Sequence, residues 1–299
     1  MNWLIPALLA PAVYTVVNFL DKIVVSKLVK DYRGMTIYGT IAGFVVGTVF
    51  WIFTGFPILP LYDALIIFST GCLTIWGSQL YFKAVSLEEP SKLILFFQTT
   101  PIFTMIIAFL LLGEKITLTQ FAGFITILLT VIWVSLEKGK AKFQISEASL
   151  LIILVNIMWA LGGVLIKFAI SANSFASILS YESWGLGIGG TVLYLFFPSI
   201  RNAFHESFRT AGKKALVVMF GNEIIFVIGK SITFYAYTIG TATLVSVVGS
   251  TQVFFGIIFG LLLTKFAPKI LKEDVSKSEL TKKVVSAIIL FVGLWLVYK

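Results

Sequence analysis

Three charged side chains interrupt long apolar runs of this sequence, and they have the most chemistry to offer. Glu182 stands in SYESWG, Glu223 in FGNEIIF, and Lys230 follows Glu223 by two helical turns, which puts both on one face of a helix. A charge within an apolar run is costly in lipid, so it faces other helices or a watery cavity. Three readings stay open. In one, Glu182 or Glu223 binds a coupling proton or a cationic part of a solute, a role that a desolvated carboxyl can fill. In another, an acid pairs with Lys230 or Lys167 as a buried structural ion pair. In the third, the eighth span is displaced and Glu223 sits near the membrane interface.

Other chemistry is thin. His205 is the only histidine and Cys72 the only cysteine. A zinc site of the usual kind and an intramolecular disulfide both lack the residues to form. The sequence contains no GK[ST] phosphate loop, no HExxH and no GxSxG. It reads as a non-enzyme with no metal and no cofactor.

The elements that must position these charges are membrane spans. Of 299 residues, 58% are hydrophobic and only 12% charged, about half the charge of a soluble domain. The net charge of +9 comes from basic residues in short connections between apolar runs. That is a pattern of membrane orientation, not of nucleic-acid binding. Apolar runs predict ten spans, near 3–21, 34–54, 62–82, 92–112, 118–136, 148–170, 175–197, 214–236, 240–263 and 283–298. The first is read as a retained span and not a leader peptide. In the fourth, Pro101 is expected to free a backbone carbonyl among Gln98, Thr99, Thr100 and Thr104.

The chain reads as a duplication. Residues 80–117 align without a gap on 232–269, a shift of 152, with Gly77/Gly229, Phe82/Phe234, Ala84/Ala236, Thr99/Thr251 and Phe103/Phe255 identical. In the first and sixth spans, Lys22 corresponds to Lys167. The expected domains are a first five-helix repeat at 1–138, a linker at 139–147 and a second repeat at 148–299. An odd number of spans per half inverts the second in the membrane, an arrangement suited to alternating access. The fold class is thus an all-α membrane protein with ten transmembrane helices in two inverted five-helix repeats. All but four of the 23 Lys and Arg residues, the exceptions being Lys115, Lys167, Lys230 and Lys299, fall after odd-numbered spans. This places both termini outside.

With these features the chain resembles the drug/metabolite transporter superfamily, in its ten-helix EamA-type branch. The resemblance rests on the tandem five-span halves and on the fourth-to-fifth span segment. There Tyr81, Ala84 and a polar run to Pro101 precede an apolar stretch into Gly113-Glu114, then Gln120 and Gly123. The second half departs from it, with Lys265-Phe266 in place of Gly-Glu. The resemblance implies termini in the cytoplasm, against the charge count. It also implies a cavity lined by spans 1, 3, 4, 6, 8 and 9, with the seventh contributing. The expected solute-binding residues are then Tyr81, Gln98, Asn156, Trp159, Tyr181, Glu182, Asn222, Glu223, Lys230 and Gln252. Asp21-Lys22 reads as a cap at the membrane surface, and Glu114-Lys115 as a turn.

Glycines repeat every fourth residue at Gly39/Gly43/Gly47, Gly185/Gly189 and Gly256/Gly260, which predicts close helix packing. The expected function is a secondary transporter or facilitator, its halves rocking about a cavity near Gln98, Glu182, Glu223 and Gln252. It would move a small metabolite such as an amino acid, sugar, nucleobase or drug-like solute, with export the expected direction. Its partners would be the solute and the lipid bilayer, with a proton as candidate coupling ion, in a monomer or homodimer of the plasma membrane. A lipid or lipid-linked sugar flippase and a non-transporting membrane scaffold are the rival readings.

Overall fold

The computed structural model describes residues 3–87, 96–97, 99–135, 146–266 and 277–299, and these contain helices and no strand. The helices are α1 (Leu4–Ile23), α2 (Met35–Phe53), α3 (Leu61–Leu87), α4 (Thr100–Leu112), α5 (Leu118–Ser135) and α6 (Glu147–Ile170). There follow α7 (Phe175–Phe196), α8 (Pro198–Thr210), α9 (Lys213–Ile239), α10 (Ala242–Gly249), α11 (Gln252–Phe266) and α12 (Lys277–Tyr298). The linker expected at 139–147 lies outside the described residues except for Ser146 and Glu147. The Ser146 hydroxyl caps α6 by accepting from the Ser149 N–H.

Each expected span overlaps a helix, the fourth from Thr100 onward with 92–95 and 98 outside the described residues, and the ninth divided between α10 and α11, but length and composition do not establish ten crossings. Among the described residues, six stretches are long and apolar enough to span a bilayer, and α7 with α8, bent by 104°, makes a seventh. The apolar parts of α4, α5 and α12 are shorter than a full crossing. Side chains that look stranded, such as Phe53 at 85% exposure and Leu118 at 83%, are suited to a lipid solvent.

Two expectations about local structure are corrected. Pro101 sits in the first turn of α4, where its missing N–H costs nothing because that position has no helical acceptor. The connection expected at 198–213 is largely α8. Pro198 opens it, and Ile200, Ala203 and Ser207 form its buried face. That face packs against the 3-10 turn Tyr32–Gly34, with the Gly34 α-carbon against the Phe204 backbone. Ser207 and Tyr38 share a 3.0 Å hydrogen bond.

Helix pairing crosses the middle of the chain. The pairs α2–α7 and α3–α6 are extensive, as are α1–α9 and α5–α12. α4 packs on α6, and α10 and α11 pack on α1. These pairs map onto one another when first and second halves are exchanged, whereas the close α3–α7 contact has only a slight counterpart in α2–α9. The halves are therefore interleaved, each lending its first helix to the other's third and fourth.

The α2–α3–α7 contact is backbone on backbone. A Cβ at Gly71 would collide with the Glu182 carbonyl oxygen, and one at Gly185 with that of Phe68. One at Gly43 would lie 2.7 Å from the Ser183 carbonyl oxygen. The glycine spacing in α2 and α7 thus serves close packing, whereas nothing lies within 4 Å of the Cβ position of Gly256.

Glu114 also crosses between halves. Gly113 ends α4 in the left-handed region at φ 64°. Glu114 then accepts from the Ala242 N–H at 2.8 Å and from the Thr243 N–H and hydroxyl at 3.1 and 3.0 Å. A carboxylate at a helix N-terminus satisfies orphan donors and complements the dipole. Glu114→Ala is expected to lower unfolding stability in detergent by about 2 kcal/mol, with Glu114→Gln losing less. Equal stability of all three proteins would mean the cap has no weight.

Candidate functional site

The most deeply buried charges form one ion pair. Glu182, on α7, accepts from Lys230, on α9, and Lys230 also donates to the Ser183 hydroxyl at 3.3 Å. The side chains are 1% and 4% exposed. The sequence left Glu182 open between coupling and structure. Its geometry is that of a satisfied pair tying α7 to α9, whose mutual attraction offsets the desolvation of both charges.

A second polar group lies about two turns along α9 toward its N-terminus. The Asn222 amide nitrogen donates to Asp21 at 2.8 Å, with both residues buried. Glu223 is adjacent, partly buried, and its carboxylate reaches the α-carbon side of Gly39 on α2. Asp21 is within electrostatic reach of Glu223 and of Tyr81. The cap expected at Asp21 is thus corrected. α1 runs on through a π turn, Val24–Leu28, so Asp21 falls inside the protein and not at its surface. The legible signal was Asn222, a buried amide in an apolar helix that required a polar partner.

The third group lies where α3, α4 and α6 meet. Tyr81 and Trp159 are 6.0 Å apart, as are Tyr81 and Phe97, and Trp159 stacks on Phe97 at 6.4 Å. Asn156, one helical turn before Trp159, donates to the Phe96 carbonyl at 2.7 Å and the Thr99 hydroxyl at 2.8 Å. Gly77 lies directly beneath the Trp159 indole.

The same construction recurs in the other half. Gly229 lies beneath the Tyr14 ring, and the Thr233 hydroxyl contacts the Tyr14 hydroxyl at 3.5 Å. Gly229 is Gly77 shifted by 152, and Thr233 is Tyr81 shifted likewise. Tyr14 is Trp159 moved back by the offset relating Lys22 to Lys167. Tyr14 went unnoticed in the sequence because only that loose alignment pointed to it.

Both halves also break a helix at one level. The Thr99 N–H donates to the Phe96 carbonyl at 3.0 Å, and α4 begins at the next residue. At the shifted position the Thr251 N–H donates to the Val248 carbonyl at 3.0 Å, between α10 and α11. Each break is a tight three-residue turn inside the bundle. Thr99 and Ser250 keep right-handed helical dihedrals, so each break is a local tightening to i→i+3 pairing and not an unwound segment. The break in the second half is the less satisfied of the two. Pro11 occupies the position equivalent to Asn156, so no amide reaches Thr251, whose buried hydroxyl has no partner among the described residues.

Of the ten expected site residues, Glu182 and Lys230 pair with each other and Asn222 and Glu223 join Asp21. Tyr81, Trp159 and Asn156 form the aromatic corner. Tyr181 stands apart, since its hydroxyl donates to the Pro57 carbonyl at 3.1 Å and accepts from the Leu59 N–H at 3.3 Å, pinning the connection after α2. Gln252 opens α11, and its backbone carbonyl accepts from Thr15 at 3.3 Å. Gln98 lies outside the described residues. Two apolar-walled hollows, of about 440 and 140 Å³, are lined by none of these residues. The first is bounded by Ile288, Phe291, Val292 and Trp295 on the outer face of α12, a place for lipid chains.

Two of the four basic residues that departed from the orientation pattern are held internally. Lys230 is in the ion pair, and Lys167 donates to the carbonyls of Tyr237 and Gly240 at 2.6 and 2.7 Å, closing the end of α9.

Among curated proteins, none matches the sequence. A solved crystal structure, titled only as that of a protein, is similar over 97% of this chain and 96% of its own, with a TM-score of 0.67 and 14% identity. That likeness is one of fold. Residues 1–136 match the EamA-like transporter family, and the family suggests a membrane transporter of small solutes. The chain is a multi-pass integral membrane protein, helical throughout its described residues, and its first 136 residues match the EamA-like transporter family.

Proposed function

We propose that the chain is a secondary transporter or facilitator that carries a small metabolite by alternating access, as an exporter, with its solute held at the level of the two helix breaks. The observation that carries this reading is the pair of breaks at Thr99 and Thr251, in corresponding positions of two similar halves. Paired interruptions in corresponding positions of two halves point to the midplane site of inverted-repeat transporters. On this reading residues 1–138 and 148–299 are the two repeats.

The moving bodies are not the contiguous halves, because those are interleaved. They are α3, α4 and α6 on one side and α9, α10, α11 and α1 on the other, with α2 and α7 as the shared frame. The polar groups lie between these bodies, with the Glu182–Lys230 pair joining the frame to one of them.

The test is uptake and counterflow in proteoliposomes, using amino acids, sugars, nucleosides and polyamines, with and without a pH gradient. Saturable flux is expected for at least one class. Glu223→Gln is expected to flatten any dependence on the gradient, whereas Glu182→Gln acts through loss of folded protein. Gradient-driven flux that Glu223→Gln leaves intact would remove Glu223 from coupling. No flux from folded protein would return the weight to a flippase or a scaffold.

A further inference from the structure

We propose, resting on the transporter reading above, that the solute is an organic cation. Its N–H donors would engage Asp21, Asn222 and Glu223, and its apolar body would lie against Tyr81, Phe97 and Trp159. Charge is the first ground. Asp21 and Glu223 lie within electrostatic reach of each other, and the Lys230 ammonium near them is bonded to Glu182. Two adjoining carboxyls beside an ammonium committed elsewhere favour a positively charged visitor.

The second ground is independent of charge and concerns what kind of hydrogen-bonding group is left over. Asn222 is 4% exposed, its amide nitrogen is committed to Asp21, and its amide oxygen has no partner among the described residues. Asn156, fully buried on α6, is in the same condition, with its nitrogen shared between Phe96 and Thr99 and its oxygen unpartnered. Both surplus groups are acceptors, and an unpaired buried acceptor costs about 1–3 kcal/mol. A ligand made of donors, an ammonium or a guanidinium, satisfies such a site. An anion or a sugar carboxylate would add acceptors to it.

The third ground is the wall. Tyr81 links the two groups, since it is within electrostatic reach of Asp21 while its ring contacts Trp159 and Phe97. Aromatic faces attract cations and cover an apolar body without offering further acceptors. The three rings touch one another in this conformation, so a solute enters as these side chains swing apart, while α3, α4 and α6 move as one body.

The test is uptake of radiolabelled benzylguanidine, a cation rich in N–H donors on an aromatic body, into proteoliposomes of the full chain. Saturable uptake is expected, competed by benzylamine and not by phenylacetate. Asp21→Asn and Glu223→Gln should each cut it at least tenfold, while Glu147→Gln, at an exposed surface pair, keeps the parent rate. Gel filtration checks that each variant is folded. A comparison on the unmutated protein guards against variants that do not fold. Benzyltrimethylammonium, which has the charge but no N–H, should compete at least tenfold more weakly than benzylguanidine. Equal competition overturns the donor match, and uptake indifferent to both acid variants overturns the site. If amino acids or sugars are carried and benzylguanidine is not, the cation assignment fails and the transporter reading stands. If nothing is carried, the transporter reading fails first.

Discussion

Lys230→Met is expected to destabilise the fold by about 3–5 kcal/mol, because it leaves Glu182 charged, buried and unpaired. Glu182 is 1% exposed and its neighbours offer no second cation among the described residues. The Ser183 hydroxyl, now 3.3 Å from Lys230, would remain as a single weak donor. The double variant Glu182→Leu/Lys230→Met should recover most of that loss, because two apolar side chains need no desolvation. Unfolding followed in detergent distinguishes these outcomes. A double variant as unstable as the sum of the two singles would show that the pair is not coupled. Transport activity of a stable double variant then tells whether the pair does more than hold α7 to α9.

Gly71→Val should have an effect at least as large. Its Cβ would occupy the space of the Glu182 backbone carbonyl, with the amide of Leu186 also within 2.5 Å. Backbone cannot rotate away as a side chain can, so α3 and α7 must separate. Overpacking of this kind costs about 1–3 kcal/mol where side chains yield, and more where backbone must move. The expected observation is little or no folded protein after extraction. Gly256→Ala is the matched control. Nothing lies within 4 Å of its Cβ position, and alanine gains up to about 1 kcal/mol in helix propensity. A Gly71→Val protein that melts with the parent would mean that α3 and α7 are not in backbone contact.

The fold was legible in the sequence wherever one residue type carried the whole signal. Apolar length placed nearly every helix, and the spaced glycines Gly43, Gly47 and Gly185 marked close helix contacts, whereas Gly71, outside any such spacing, was not singled out. The offset of 152 residues, read from identities such as Thr99/Thr251, lands on two turns with matching hydrogen bonds. α8 was not legible as a helix because its charges, Arg201, His205, Glu206 and Arg209, mask the buried stripe of Ile200, Ala203 and Ser207.

The candidate site was legible only as a list of polar residues. Which of them meet depends on the interleaving of halves, and that is a property of long-range packing. Glu182 and Lys230 are 48 positions apart, and Asp21 and Asn222 are 201 apart. Nothing local distinguishes Glu182, held in a pair, from Glu223 beside Asp21. The partners of Tyr181, Pro57 and Leu59, were hidden for the same reason, because they lie in the connection after α2.

The exchange of first helices has a consequence for how the protein is made. α1 emerges from the ribosome long before α9, α10 and α11, the helices on which it packs. Until then Asp21 has no Asn222 to hold it, and α3 and α4 await α6. The first five helices therefore enter the bilayer as an incomplete set, and assembly must wait for most of synthesis. Long-range contacts of this kind slow folding and expose intermediates to misassembly. The second half carries the mirror-image debt, so neither half expressed alone can complete its own core. Supplied on separate chains, each holds the helix that the other lacks.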